Sequence, residues 1–235
     1  MSTSAAQYSE RLASLRAELA ARKLSGFVIP LTDEHMSEYV GGYAQRLAWL
    51  TGFGGSAGSA VVLAKTAAIF TDGRYTLQVR DQVDGALYAY CDLPATQPAD
   101  WLAAEAQAGA RIGYDPWLHT RDWVAKARAA LEAKGAKLVA VDSNPIDAIW
   151  ADRPAPSLAP AVPHGLEYAG KSHEDKLTDI AEWLKARGAD AAVLSALDSI
   201  AWALNIRGAD VARTPVALSY AVAKADGTLD LFIAP

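Results

Sequence analysis

Two apolar runs, Ser59-Ala-Val-Val-Leu-Ala64 and Ala67-Ala-Ile-Phe-Thr71, are separated only by Lys65-Thr66. A two-residue connection joins antiparallel strands, because a parallel pair needs a crossover of about a dozen residues or more. Any sheet built from this region therefore contains a hairpin. Around it the chain alternates helix and strand. A helix is expected from about Ser4 to Lys23, with Leu12, Leu15, Leu19 and Leu24 near one face, broken by Gly26 ahead of a strand at Phe27-Val-Ile29. Thr76–Val83 reads as helix, Ala86–Cys91 as strand, and Pro98–Ala108 as helix stopped by Gly109. Arg111–Tyr114 reads as strand, Arg121–Lys134 as helix closed by Gly135, and Leu138–Val141 as strand. A hairpin embedded in such alternation specifies an α/β fold with a mixed β-sheet flanked by helices, rather than a purely parallel sheet.

The pattern is interrupted by Arg153-Pro-Ala-Pro-Ser-Leu-Ala-Pro-Ala-Val-Pro163, which holds four prolines. Proline removes amide donors and disfavours helix and central strand, so this reads as a semi-rigid linker. The expected organisation is one complete domain over residues 1–150, a linker over 151–165 and part of a second, related domain over 166–235. The second pattern begins as the first does. A helix runs from Ser172, as N-cap, to Arg187, and a buried strand follows at Ala191–Leu194. A short helix spans Asp198–Asn205, with Ile200, Trp202 and Leu204 as core. Strands at Val216–Val222 and Leu229–Ile233 flank the turn Ala225-Asp-Gly227. An internal duplication is the simplest reading. A sheet that stops at Leu229–Ile233 exposes an edge, from which self-association or disorder within 166–235 is expected.

Composition excludes several classes. The hydrophobic share is 51% of 235 residues, but 50 of these are Ala, which buries little area and mainly favours helix. A net charge of -5 lacks the basic footprint a nucleic-acid binder needs. One cysteine, Cys91, allows neither a disulfide framework nor a Cys-based zinc site, and reads as a small buried hydrophobe. The longest uncharged run, Leu47–Ala64, is broken by glycines and hydroxyl residues, so no membrane span is expected. The N-terminus lacks an apolar signal core, which points to a cytoplasmic chain.

Gly52-Phe-Gly54-Gly55-Ser-Ala57-Gly58 formally matches the dinucleotide fingerprint, but it feeds a β-branched strand rather than a helix. The expected role is a tight loop where backbone approaches another segment. Asp33-Glu34-His35 with Glu38 offers metal-ligand types, although adjacent side chains rarely converge on one ion, and a solvated polar loop is the simpler reading. His119, His164 and His173 have no metal-ligand spacing, and no nucleophile elbow is present. Thr71-Asp-Gly-Arg-Tyr75 sits at a strand exit, where ligand-contacting loops tend to lie. Arg74 there either pairs with Asp72 to hold a turn or presents its guanidinium to a carboxylate or carbonyl.

Taken in order, several stretches resemble one family. They are Asp33-Glu-His-Met-Ser-Glu-Tyr39, Arg46-Leu-Ala-Trp-Leu-Thr-Gly-Phe53, Gly55-Ser-Ala-Gly58, Thr71-Asp-Gly-Arg-Tyr75, Leu197-Asp-Ser-Ile-Ala-Trp202 and Asn205-Ile-Arg-Gly208, followed by Pro215-Val-Ala-Leu-Ser-Tyr220. The proline-rich stretch belongs to the same likeness, whereas Gly41-Gly42-Tyr43 stands outside it. Together they resemble the N-terminal region of the long, cytosolic-type Xaa-Pro aminopeptidases of the creatinase/prolidase group. The resemblance implies two related α/β domains ahead of a C-terminal pita-bread domain. That last domain carries two divalent metal ions, expected to be manganese, on Asp, Asp, His, Glu and Glu, together with the catalytic histidines. None of those segments occurs here, so no catalytic residue, metal ligand or cofactor is expected in this chain itself.

The resemblance further implies that Arg74 contacts bound peptide in the complete enzyme. The expected partners are a proline-containing peptide and further copies of the same protein, with no nucleic acid and no membrane. The N-terminal domains would limit substrate access and contribute oligomer contacts. The alternative is a non-enzymatic peptide- or protein-binding module of the same fold, as in a histone-chaperone subunit. A third reading, a related hydrolase acting on a non-peptide substrate, fits the linker and second domain less well.

Overall fold

The structure, a computed structural model, describes residues 5–234. The chain forms two compact units. The first takes the chain up to Glu34 and then Tyr43–Arg153; the second takes His35–Gly42 and the chain from Pro154 on.

In the first unit, α1 (Ala5–Ala21) buries Leu12, Leu15 and Leu19; Ser4, the expected start, lies outside the described residues. The helix stops before Gly26. Lys23 adopts a left-handed φ of 58°, and Leu24 N–H donates back to Leu19 C=O at 2.9 Å, the usual satisfaction of a helix C-terminus. Gly26 instead opens β1 (Gly26–Pro30), where a Cβ would lie 2.4 Å from Leu63 Cδ2 and 2.7 Å from the Val62 carbonyl oxygen. α2 (Arg46–Thr51) leads to β2 (Gly58–Leu63) and β3 (Ala67–Thr71). The hairpin forms as the spacing requires, but its two-residue turn is Ala64-Lys65, because Leu63 N–H bonds Thr66 C=O at 2.8 Å.

After α3 (Thr76–Gln82), β4 (Ala89–Asp92) starts three residues later than expected. Asp84 claims the backbone N–H groups of Ala86, Leu87 and Tyr88, turning the chain first. α4 (Pro98–Glu105) ends short of Ala108, since Ala106 is already extended and Gln107–Ala110 turns into β5 (Arg111–Tyr114). α5 (Arg121–Glu132), β6 (Lys137–Ala140) and α6 (Pro145–Ile149) complete the unit.

Six strands form one mixed sheet in the order β4-β3-β2-β1-β5-β6. The pairs β1–β2 and β2–β3 are antiparallel; β3–β4, β1–β5 and β5–β6 are parallel. α1, α2 and α6 cover one face through Leu12, Leu15, Leu19, Leu47, Leu50 and Ile146, packed on Phe27, Ile29, Val62 and Ile69. α4 and α5 cover the other through Leu102 and Leu131, packed on Val28, Val61 and Phe70. α2 is tied to α6 by a bidentate Arg46–Asp147 pair at 2.7 and 2.9 Å.

In the second unit the proline-rich stretch ends in a short strand, β7 (Val162–Pro163), rather than running on as linker. α7 (Leu166–Ala169), α8 (His173–Lys185), β8 (Ala191–Leu194) and α9 (Leu197–Leu204) follow, then β9 (Ile206–Arg207), β10 (Ser219–Lys224) and β11 (Leu229–Ile233). Ser172 caps α8 through Asp175 N–H, as its type predicts. β7 pairs with β9, and β11-β10-β8 form an antiparallel sheet. β10 begins at Ser219 rather than Val216, because Val216 C=O and Leu218 N–H bond Asp210 instead of a neighbouring strand, and two burial expectations fail in this unit. β8 is not buried, since Val193 is 76% exposed, and Trp202 is half exposed rather than core. Residues 166–234 carry folded elements, and among the described residues the outer side of β11 has no strand beside it.

The two units repeat one design. Lys23 and Gly188 take the same left-handed φ after α1 and α8, and the bond Leu24 N–H to Leu19 C=O recurs as Ala189 N–H to Leu184 C=O. Gly52 and Asn205 occupy matching left-handed caps of α2 and α9. In the sheets, Val28 opposite Val61 matches Val193 opposite Val222, and Ser59 opposite Phe70 matches Tyr220 opposite Phe232. A side-chain device is repeated too. Arg11 Nη1 donates to Trp49 C=O at 2.6 Å with its guanidinium 4.6 Å from the Trp49 ring. Lys176 Nζ donates to Trp202 C=O at 3.0 Å and sits 4.7 Å from the Trp202 ring.

Candidate functional site

β3 delivers Thr71 to one end of the sheet, and the chain then turns sharply. Asp72 caps the turn, its carboxylate accepting Arg74 N–H at 3.0 Å. The same carboxylate takes Arg74 Nε at 3.1 Å and Nη2 at 2.8 Å. Those bonds hold the Asp72 carboxyl below the usual carboxylate range. The Arg74 side chain is 60% exposed. Sequence alone left two roles for Arg74; the structure shows the Asp72 pair, and that pair leaves the guanidinium accessible.

The loop beside it is the glycine-rich segment. Thr71 Oγ1 donates to Ala57 C=O at 2.7 Å, Tyr75 Oη lies 2.7 Å from Ser56 Oγ, and Phe53 meets the Tyr75 ring edge-on at 5.7 Å. Hydrogen bonding from Ser56 pulls the Tyr75 phenol below its ordinary range. The glycines serve close approach: a Cβ on Gly55 would lie 2.4 Å from Phe53 Cζ and 2.8 Å from Tyr75 Cδ1. The segment opens a strand, with no helix N-terminus to receive a pyrophosphate. Arg74 also lies 5.1 Å from the Tyr75 ring, so Ser56, Tyr75 and Asp72 together fix the base from which it projects. Ser56 escaped the sequence reading; only the hairpin brings it beside Tyr75.

The acidic–histidine segment does not form a metal site. Asp33 and Glu34 belong to the first unit and His35 and Glu38 to the second. Tyr43 Oη donates to Glu34 at 2.7 Å, and burial with that neighbour pushes the phenol well up. His35 stacks on Tyr220 at 4.5 Å, with Nδ1 3.1 Å from Ser195 C=O. It borders a cavity of about 270 Å³ with Glu38, Leu197 and Asp198. Among the described residues no group of three or more His, Cys, Asp or Glu could hold a metal ion, so the residues present do not fit a metal pair. Cys91 is half-buried, and burial pushes its thiol up, away from reactivity. No described helix is long and apolar enough to cross a membrane.

A "Probable Xaa-Pro aminopeptidase P" of Aspergillus niger is 37% identical over 230 residues, which is 96% of this chain and 37% of the relative. One from Talaromyces stipitatus is 38% identical over 229 residues, covering 96% of this chain and 35% of that protein. The crystal structure of an X-prolyl aminopeptidase from Caenorhabditis elegans, described as a cytosolic enzyme with a di-nuclear active site, superposes with a TM-score of 0.88 at 35% identity. It matches 97% of this chain and 39% of its own. The chain thus spans little more than a third of the length of these relatives, and the part it matches is N-terminal. Residues 11–149 and 152–235 each match the creatinase/prolidase N-terminal domain, and the chain belongs to that family.

Proposed function

We propose that this chain is the substrate-shaping, non-catalytic N-terminal portion of a metal-dependent Xaa-Pro aminopeptidase, an enzyme that removes the N-terminal residue preceding proline. The observation that carries this reading is the likeness to Xaa-Pro aminopeptidases along 96% of the chain. In this reading the metal pair, manganese, is held by a domain outside these residues. Arg74 is the substrate contact: its exposed guanidinium suits a charge-assisted hydrogen bond to a peptide carbonyl or C-terminal carboxylate. Asp72, Tyr75 and Ser56 position it. The two units limit access to the cleft and contribute contacts in a cytoplasmic homo-oligomer.

The test compares two proteins. The complete polypeptide with manganese is expected to release the first residue of an Xaa-Pro-Xaa peptide, and the 235-residue chain is expected to be silent. Turnover by the 235-residue chain, free of contaminating protease, would overturn this reading.

A further inference from the structure

A cavity of about 550 Å³ opens at the end of the first unit's sheet where β2 turns into β3. Arg74 follows the other end of β3, on the order of 15 Å away at about 3.4 Å per residue. The cavity is therefore separate from the site built around Arg74.

Its floor follows from the strand register. Gly26 opens β1 between Leu63 of β2 and Ile112 of β5. Because Gly26 has no side chain, Leu63 and Ile112 close over it. A Cβ there would lie 2.4 Å from Leu63 Cδ2 and 3.3 Å from Ile112 Cδ1. Ala106 and Ala110 line the wall that follows α4, and their short side chains leave the space open. This volume, with apolar lining and a few polar groups, is in the range of small-molecule sites.

Two opposite charges also line the cavity. Lys65 sits in the hairpin turn, and Glu105 is the last residue of α4. Among the described residues neither side chain forms a hydrogen bond or an ion pair, with the other or with a third group. The C-terminal end of α4 adds negative potential beside Glu105. The hairpin side is thus cationic and the α4 side anionic, over an apolar floor. A singly charged ligand would complement one side only, whereas a zwitterion complements both.

We propose that this cavity binds a small zwitterion with an apolar side chain, a free amino acid or a dipeptide. Its ammonium group meets Glu105, its carboxylate meets Lys65, and its side chain rests on Leu63 and Ile112. All these residues belong to the first unit, so the proposal stands apart from the peptidase reading.

The test titrates the isotope-labelled 235-residue chain with leucine and with leucyl-leucine, followed by amide NMR. At least one of them should shift the amides of Thr66, Gly109 and Ala110 saturably. Two further probes each lack one charge: leucinamide has no carboxylate, and isocaproate has no amine. Lys65→Met should weaken leucine or leucyl-leucine about two- to fivefold, as for an exposed ion pair, and leave leucinamide unchanged. Glu105→Gln should weaken leucinamide by a similar factor and leave isocaproate unchanged. No saturable shift at millimolar ligand would overturn the proposal. So would binding that neither substitution weakens, or shifts confined to the Asp72–Tyr75 turn at the other end of the sheet.

Discussion

At the scale of single residues, Arg74 and His119 give predictions of different kinds. Arg74 is exposed at the turn that Asp72 caps, so Arg74→Ala in the complete polypeptide should remove one charge-assisted contact. Such a bond contributes roughly 1.5–3 kcal/mol, so KM for an Xaa-Pro-Xaa peptide should rise about tenfold or more with a smaller change in kcat. The Asp72–Arg74 pair is solvent-exposed, and Asp72→Asn should leave thermal stability almost unchanged. His119 acts on stability instead. Burial against Trp123, at 4.2 Å, lowers its pKa below the ordinary 6.5, with Nδ1 2.9 Å from Asp115 C=O and Nε2 buried without a partner. A depressed native pKa means the unfolded state takes the proton first. Its stabilising effect is therefore complete above pH 6.5 and declines as pH falls toward the native value. His119→Phe should flatten that part of a Tm–pH curve; an unchanged acid slope would reject the assignment. Arg74 was legible in sequence because its turn, cap and partner lie within three residues. Ser56 was not, because 19 residues separate it from Tyr75.

At the scale of elements, the repeated cation lock is the clearest device that periodicity does not reveal. Arg11 on α1 and Lys176 on α8 each satisfy a carbonyl in the last turns of the following helix, a place where cations also oppose the helix dipole. Lys176 is 2% exposed and also donates to Asn205 Oδ1 at 2.5 Å, while Asn205 Nδ2 bonds Lys171 C=O at 2.9 Å. Lys176→Met keeps the buried stem but strands two part-buried acceptors, and should cost about 1.5–3 kcal/mol in urea unfolding. A variant as stable as the parent would show that the lock contributes nothing. The hairpin and most helices were legible because turn length and 3.6-residue spacing are local. Helix ends were less so: α1 stops through a left-handed lysine, a conformation no lysine advertises. Ala-Ala-Val-Leu in β8 predicts a buried strand, and its counterpart β1 is buried. Composition reports which faces suit burial, whereas exposure depends on what lies on them.

At the scale of the whole chain, the linear order of sequence does not match the division into units. The segment His35–Gly42 lies between β1 and α2 yet belongs with the second unit. No composition shift announces this, because the determining interactions are distant: His35 with Tyr220 and with Ser195 C=O. The proline-rich stretch, by contrast, was visible because proline acts locally on the backbone. Two units with separate cores permit two unfolding transitions, which a single-transition description would not capture. Replacing His35–Gly42 by a Gly/Ser segment of equal length keeps the loop-closure term similar for the first unit. It removes from the second an aromatic stack worth about 0.5–1.5 kcal/mol and a hydrogen bond worth about 1 kcal/mol. Hydrogen exchange should therefore show faster opening at β10 and unchanged protection at β2, and calorimetry should show only one transition moving down. If β2 and β10 lose protection together, the two units unfold as one and the division fails.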